Sequence, residues 1–386
     1  MGVEKLINVF EKTYNDTQNI STFFSPGRVN LIGEHVDYNG GYVFPCALTV
    51  GTYGIVRKRI DDTLNFTSTN FNNTVSCSVK DLKYEKDHDW ANYLKGVIFQ
   101  LQKSGFKIGG MDILISGDLP DGAGLSSSAS VELLMSIICK ELFNLDIDRI
   151  ELVKLSQRAE NEFVGINCGI MDQFAVGMGK KDHAILLDCA NIEFEYVPIA
   201  LDGYKLMISN TNKKRGLTGG LIDSKYNERR SECEEAVKNL NIKNLAEIDS
   251  DTFERHKYLI DNPVVLKRAT HVIYEIERTL LAVEKLKNGD IEAFGQLMIQ
   301  SHDSLKSLYE VTGIELDTLV EESLKIDGVI GSRMTGAGFG GCTISIVKDE
   351  HVEDFMRIVA KNYTAKIGYP PSFYVASIGD GARKIY

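Results

Sequence analysis

The sequence predicts an α+β fold in which mixed sheets pack against helices in two lobes. Strand-like apolar runs and segments of helical spacing are interleaved along the whole chain, a mixture that asks for layered sheets and helices. At 386 residues the chain is too long for one small core and suits two packed lobes. Its 43% hydrophobic and 25% charged residues are those of an ordinary globular protein, and no internal repeat or long low-complexity linker is visible.

The elements follow in order. Residues 1–14, MGVEKLINVFEKTY, read as an amphipathic helix rather than a signal peptide, with neither a continuous apolar h-region nor a cleavage site. Strand-like runs at 23–24, 41–55, 64–68 and 111–115 accompany helical patterns at 90–103, 130–143 and 150–164. Beyond Asp182, strands at 184–188 and 205–210 precede a long helical tract through Leu324. A final strand region covers 343–347 and 372–378. No stretch approaches the roughly 20 apolar residues of a membrane span.

Charge narrows the function. Forty-three basic against 54 acidic residues give a net charge of −11, which argues against general nucleic-acid or anionic-membrane binding. Any pocket for phosphates must be made positive locally. The seven cysteines are scattered without a CxxC pair, as expected of free thiols in a reducing cytosol. Zinc signatures such as HExxH are absent.

The most informative stretch is GDLPDGAGLSSSAS at 117–130. The apolar run of Met111, Ile113, Leu114 and Ile115 enters a turn marked by Pro120, Gly122 and Gly124. Three serines follow, and then Val131, Leu134, Ile138 and Leu142 recur at helical spacing. Strand, Gly/Ser loop and helix in that order form a phosphate cradle: glycine lets the backbone approach an anion, and the helix N-terminus points free N–H groups at it. That chemistry suits a nucleoside triphosphate. GxxxxGK[ST] occurs nowhere, so the loop is not a Walker A motif. Taken alone, the segment also reads as a turn that merely joins strand to helix.

Two further motifs weigh against that reading. SPGRVNLIGEHVDYNGG at 25–41 places Arg28, Glu34, His35 and Asp37 within ten positions of one another, beside the apolar Val29, Leu31 and Ile32. Charged groups interrupting a buried-looking segment are costly unless paired. Two carboxylates, an imidazole and a guanidinium can together hold a polyhydroxylated substrate; the competing reading is a solvated turn ending in Asn39-Gly40-Gly41. MTGAGFGGC at 334–342 reads as a close-packed glycine turn, either approaching substrate or serving packing alone.

Together the three motifs resemble those of the galactokinases, within the GHMP kinase family. CGIMDQFA (168–175), SKYNERRSEC (224–233) and FGQLMIQSHDSL (294–305) extend the likeness, which runs from Thr22 to Gly381. The resemblance implies a two-lobed fold with its active site in the cleft, an N-terminal lobe over 1–175 and a C-terminal lobe over 176–386, the last strand returning to the first. It implies ATP-dependent phosphorylation of α-D-galactose at the C1 hydroxyl by a cytoplasmic monomer, with galactose and ATP as its small-molecule partners and Mg²⁺ as cofactor.

Roles follow residue by residue. The resemblance makes Asp172 the catalytic base facing the C1 hydroxyl and sets Arg28 between that hydroxyl and the γ-phosphate. Since an arginine beside a carboxylate weakens it as a base, Asp172 is expected to orient the hydroxyl and take its proton late, as a loose transition state permits. Gly122, Ala123, Gly124, Leu125, Ser126, Ser127 and Ser128 would carry the phosphates, and Ser68 would contact the nucleotide. Ser128 and Glu160 would hold the magnesium. Glu34, His35, Val36 and Asp37 would read the sugar, with Gly169 and Tyr226 completing the pocket.

The chain departs from the family pattern at three places. Val36 replaces an expected threonine, tolerable if its side chain points away from the sugar. The segment 216–223 is longer than usual and carries an extra Gly pair, which bears on the loop holding Tyr226. Ile276 stands where a polar residue is usual. Two other readings stay open at this level: a kinase for a related sugar such as N-acetylgalactosamine or arabinose, and a non-catalytic galactose/ATP sensor.

Overall fold

The computed structural model describes residues 2–119, 124–213 and 220–386, with side chains described throughout except at 220–224. Among these, thirteen strands occur: β1 (Ile20–Asn30), β2 (Tyr42–Val43), β3 (Pro45–Lys58), β4 (Thr63–Ser68), β5 (Val75–Ser78), β6 (Met111–Gly117), β7 (His183–Asp188), β8 (Glu193–Pro198), β9 (Tyr204–Asn210), β10 (Val329–Thr335), β11 (Cys342–Lys348), β12 (Ser372–Ala376) and β13 (Arg383–Lys384). They form a six-stranded sheet in the order β13-β1-β3-β6-β4-β5, a four-stranded sheet β10-β11-β9-β12, and a three-stranded sheet β2-β7-β8. Only the pairing of β4 with β6 is parallel among these ladders. This is the α+β layering that the interleaved pattern predicts.

The main core packs helices Ala91–Lys103, Ser127–Phe143, Arg149–Arg158 and Met171–Met178 on the six-stranded sheet, and it continues into helix Pro263–Lys287. A second core joins Val29, Leu31 and Phe44 to Ile208, Ile344 and Phe294. The 25–41 segment is thus wedged between the two larger sheets. The C-terminal β13 pairs with β1, Phe23 opposite Lys384. Residue 175 lies inside helix Met171–Met178.

The structure departs from the sequence reading at instructive points. The strand predicted at 23–24 is longer: β1 runs from Ile20 to Asn30 through Ser25-Pro26-Gly27, with a register shift between Pro26 and Arg28. Pro26 keeps its register with Gly51 and the bulge follows directly after it, a setting in which proline is tolerated within a sheet. The predicted helix at 150–164 is α-helical only to Arg158 and then widens into a π-turn over Ala159–Val164. The strand β10 was hidden because Gly331, Ser332 and Arg333 do not resemble a buried strand, although Gly331 through Thr335 are buried. The helical tract resolves into Gly220–Leu240, Ser250–His256, Pro263–Lys287, Ile291–Ser304 and Ile314–Ser323.

Candidate active site

A cavity of ≈ 300 Å³ opens where the three motifs meet. The bulge in β1 turns Arg28 into it. A Cβ on Gly27 would stand 2.9 Å from the Leu125 carbonyl, so glycine lets this strand and the 124–128 loop touch. Arg28 N–H donates to that same carbonyl at 3.2 Å. The Arg28 guanidinium then spans the site. Its Nε donates to Asp172 Oδ1 at 2.8 Å, Nη2 to Asp172 Oδ2 at 2.7 Å, and Nη1 to the Gly124 carbonyl at 2.8 Å. This bidentate geometry fixes both partners in one plane.

Ser126 sits where an N-cap would, with φ +62°, but makes no capping bond to helix Ser127–Phe143. Its hydroxyl donates instead to Asp172 Oδ2 at 2.6 Å. The first-turn amides of that helix, which have no partner within a helix, are thereby left uncapped at an end that favours anions. Leu125, Ser127 and Ser128 line the same cavity. Gly122 and Ala123 lie outside the described residues.

The π-turn carries Glu160 into the cavity wall, a common setting for such turns. Glu160 is hydrogen-bonded to Ser128 and accepts from Gln173 Nε2 at 2.6 Å. Gln173 also donates to Glu132 Oε2 at 3.0 Å, while the fully buried Glu132 Oε1 has no partner among the described residues. Burial, then the Asp172 charge, raises Glu160; burial and the charge of Glu160 raise Glu132. Among the described residues no three acidic, histidine or cysteine side chains are grouped as a metal site, but hydroxyl and carboxylate oxygens are the donors a hard divalent ion prefers. Ser128 and Glu160 therefore fit magnesium.

Opposite lies a wall built from the 25–41 and 334–342 segments. Glu34, 1% exposed, accepts from Gly336 N–H at 2.8 Å. His35 adopts φ +62°, an uncommon conformation for a side chain this large. Its Nε2 pairs with the Ala337 carbonyl at 3.2 Å, which can only accept, so the hydrogen sits on Nε2 and Nδ1 accepts from Tyr38 O–H at 2.9 Å. Burial accordingly lowers the imidazole to about 3 and keeps it neutral. Both ring nitrogens already have protein partners, so His35 offers the cavity its ring, tilted 40° against Tyr226 at 5.7 Å between centroids. The Tyr38 ring meets Tyr226 edge-on at 5.2 Å and His35 at 6.0 Å, so the three rings cluster together.

Asp37 completes this wall. Burial, then the nearby Asp172 charge, raises its carboxyl to about 6. A Cβ on Gly169 would overlap the Asp37 carboxylate, so glycine is required there by close approach.

Two predicted residues stand elsewhere. Val36 is fully buried in the main core beside Gly41 and does not line the cavity, because the turn that exposes His35 and Asp37 points the intervening side chain inward. Ser68 ends β4, where its hydroxyl accepts from Asn70 N–H at 3.0 Å, away from the cavity lining. Tyr93, Cys168, Gly336 and Ala337 also line the cavity. Sequence reasoning gave them no individual role, although the last three lie in quoted motifs. The extended 216–223 segment lies outside the described side chains.

Known proteins share this architecture. The galactokinase galactose-binding signature matches residues 8–58, the GHMP kinases N terminal domain residues 92–180, and the GHMP kinases C terminal domain residues 282–365. The chain is 57% identical to a galactokinase of Clostridium acetobutylicum, over 99% of this chain and 98% of the relative. It is 51% identical to that of Bacillus subtilis, over 99% of each. The structure superposes on Lactococcus lactis galactokinase complexed with galactose with a TM-score of 0.96 at 45% identity, covering 99% of this chain and 100% of the other. A mevalonate kinase at 19% identity and a TM-score of 0.64 shares the fold.

Proposed function

The chain belongs to the galactokinase family, and on that premise we propose that it phosphorylates α-D-galactose at the C1 hydroxyl with ATP, giving galactose 1-phosphate and ADP. The observation that carries this reading is the Arg28–Asp172 pair, held at 2.7 and 2.8 Å where the phosphate loop meets the polar wall. In the reaction the C1 oxygen bonds to the γ-phosphorus as the bond from phosphorus to the β,γ-bridging oxygen breaks. The hydroxyl proton passes late to Asp172. Arg28, whose guanidinium has N–H groups beyond those bound to Asp172 and Gly124, meets the charge that develops on the transferring group.

Ser126, Ser127 and Ser128 receive the phosphates with the helix N-terminus behind them. Ser128 and Glu160 would hold Mg²⁺, which would supply charge neutralisation on the phosphoryl oxygens. Glu34 and Asp37 accept from sugar hydroxyls, and His35 and Tyr226 shape the wall around them. A buried site that pairs each hydroxyl rejects an epimer strongly, since a misplaced hydroxyl leaves polar groups unmatched. No helix among the described residues is long and apolar enough to cross a membrane, and none of the seven cysteines is in a disulfide.

Three outcomes are expected here. Asp37 must be ionised to accept from two hydroxyls; because its carboxyl is raised to about 6, the KM for galactose should climb as pH falls through that value, and a flat profile would contradict the role. Gly169→Ala should raise the galactose KM by about tenfold or more through displacement of Asp37. Val36→Thr should leave galactose KM within about twofold, its side chain facing the core. The overall reading is tested by ADP release with Mg-ATP across galactose, glucose, N-acetylgalactosamine and arabinose. Turnover with galactose supports it; turnover only with another sugar moves the substrate, and galactose binding without ADP release makes the protein a sensor.

A further inference from the structure

We propose that Arg333, which does not itself line the cavity, is a positioning residue that fixes the orientation of the Glu34 carboxyl group as an acceptor for the sugar. Arg333 lies on β10 and is fully buried, heading the large side chains with no exposure. Its Nη1 donates to the Asn30 carbonyl at 3.0 Å and reaches Glu34 Oε1 at 3.4 Å. The same carboxylate oxygen accepts from Gly336 N–H at 2.8 Å. One oxygen of Glu34 is thereby tied to the protein by two donors from the 329–336 segment, and its orientation in the cavity wall is set from behind.

Stability does not account for this arrangement. A buried ion pair rarely outweighs the desolvation of its charges, and apolar side chains of equal volume commonly serve as well. Here the burial is incomplete in its compensation: Arg333 Nε and Nη2 have no hydrogen-bond partner among the described residues. The ground behind Arg333 is also charged. Glu275, fully buried, accepts from Gly33 N–H at 3.1 Å and from Ser301 Oγ at 2.5 Å, and it pairs with Arg278. His271 Nε2 donates to the Glu34 carbonyl at 3.2 Å. Glu34 is therefore gripped at its backbone and at one carboxylate oxygen, while burial alone would drive it toward the neutral acid. The Arg333 charge, followed by that of Arg28, opposes that drift without reversing it, and Glu34 stays raised above the ordinary carboxylate range. A neutral Glu34 would offer a donor where the reading above needs an acceptor.

The inference rests on Glu34 contacting the sugar, so the experiment separates the two. Galactose affinity is measured by calorimetry without nucleotide for Arg333→Met, Glu34→Gln and the double variant, with thermal unfolding run on each. Each single change should weaken galactose on the order of tenfold to a hundredfold, and the KM for ATP should move by less than about threefold. The double variant, which leaves no lone buried charge, should bind galactose within about twofold of Glu34→Gln alone, since Arg333 then has nothing left to position. Should Arg333→Met not fold, Arg333→Lys keeps the charge without the fork and should lose part of the galactose affinity selectively. Unchanged galactose affinity in the Arg333 variants, losses that add in the double variant, or equal losses for galactose and ATP would each overturn the inference. An unaffected Glu34→Gln would instead overturn the role of Glu34 itself.

Discussion

Asp172→Asn should lower kcat by about a hundredfold to ten-thousandfold, the usual range for losing a positioned general base, while galactose and ATP still bind within a few-fold of the parent. The expectation follows from how the carboxylate is held. Each oxygen takes an Arg28 donor, and Oδ2 also takes the Ser126 hydroxyl. An asparagine presents one acceptor oxygen and turns an NH₂ toward groups that are themselves donors. It therefore loses one arm of the fork as well as the proton acceptor. The carboxylate is 29% exposed on its side chain, so the substitution opens no large cavity and the fold should hold. Steady-state ADP release together with calorimetric binding checks this; near-normal turnover would remove Asp172 from the chemistry.

Arg28→Met should cost about a hundredfold to a thousandfold in kcat, comparable to removing one donor aimed at transition-state charge. The guanidinium is 4% exposed and joins three elements: β1, the Gly124 carbonyl of the phosphate loop, and the Asp172 helix. Without it the Asp172 charge faces Glu160 and Asp37 unopposed, both of which are already raised by that charge. Arg28→Lys keeps a positive charge but cannot reproduce the two parallel bonds, so it should recover only part of the loss. A kcat within tenfold of the parent for Arg28→Met would place the residue outside the reacting centre.

Much of the site was legible because its chemistry needs unusual residues in short stretches. Arg28, Glu34, His35 and Asp37 stand out as charges within an apolar segment, and the Gly/Ser loop before a helical period announces an anion cradle. What could not be read is what depends on long-range approach. Gly169 is required by Asp37, 132 positions away in the chain, and no local pattern records that contact. Glu160 looks like any helix-surface acid until the π-turn rotates it inward. His35 looked like a hydrogen-bonding partner for substrate, but Ala337 and Tyr38 already occupy both its nitrogens.

The strands tell the same story. The strand predicted at 23–24 stops short of Pro26 unless the bulge after it is known, and β10 hides behind a glycine, a serine and an arginine. One signal was available there: an arginine two residues ahead of the glycine turn, flanked by Met334 and followed by the apolar run of β11, is costly to bury without a purpose.

The placement of Arg28 and Asp172 specifies where the phosphoryl group goes. Phosphorus-31 and proton NMR of the product formed from galactose and Mg-ATP reads this directly. A phosphorus resonance coupled to the anomeric proton, with the α configuration, is the predicted result, because the account sets the C1 hydroxyl against Arg28 and Asp172. Phosphate on any other hydroxyl, or on the β anomer, would contradict it.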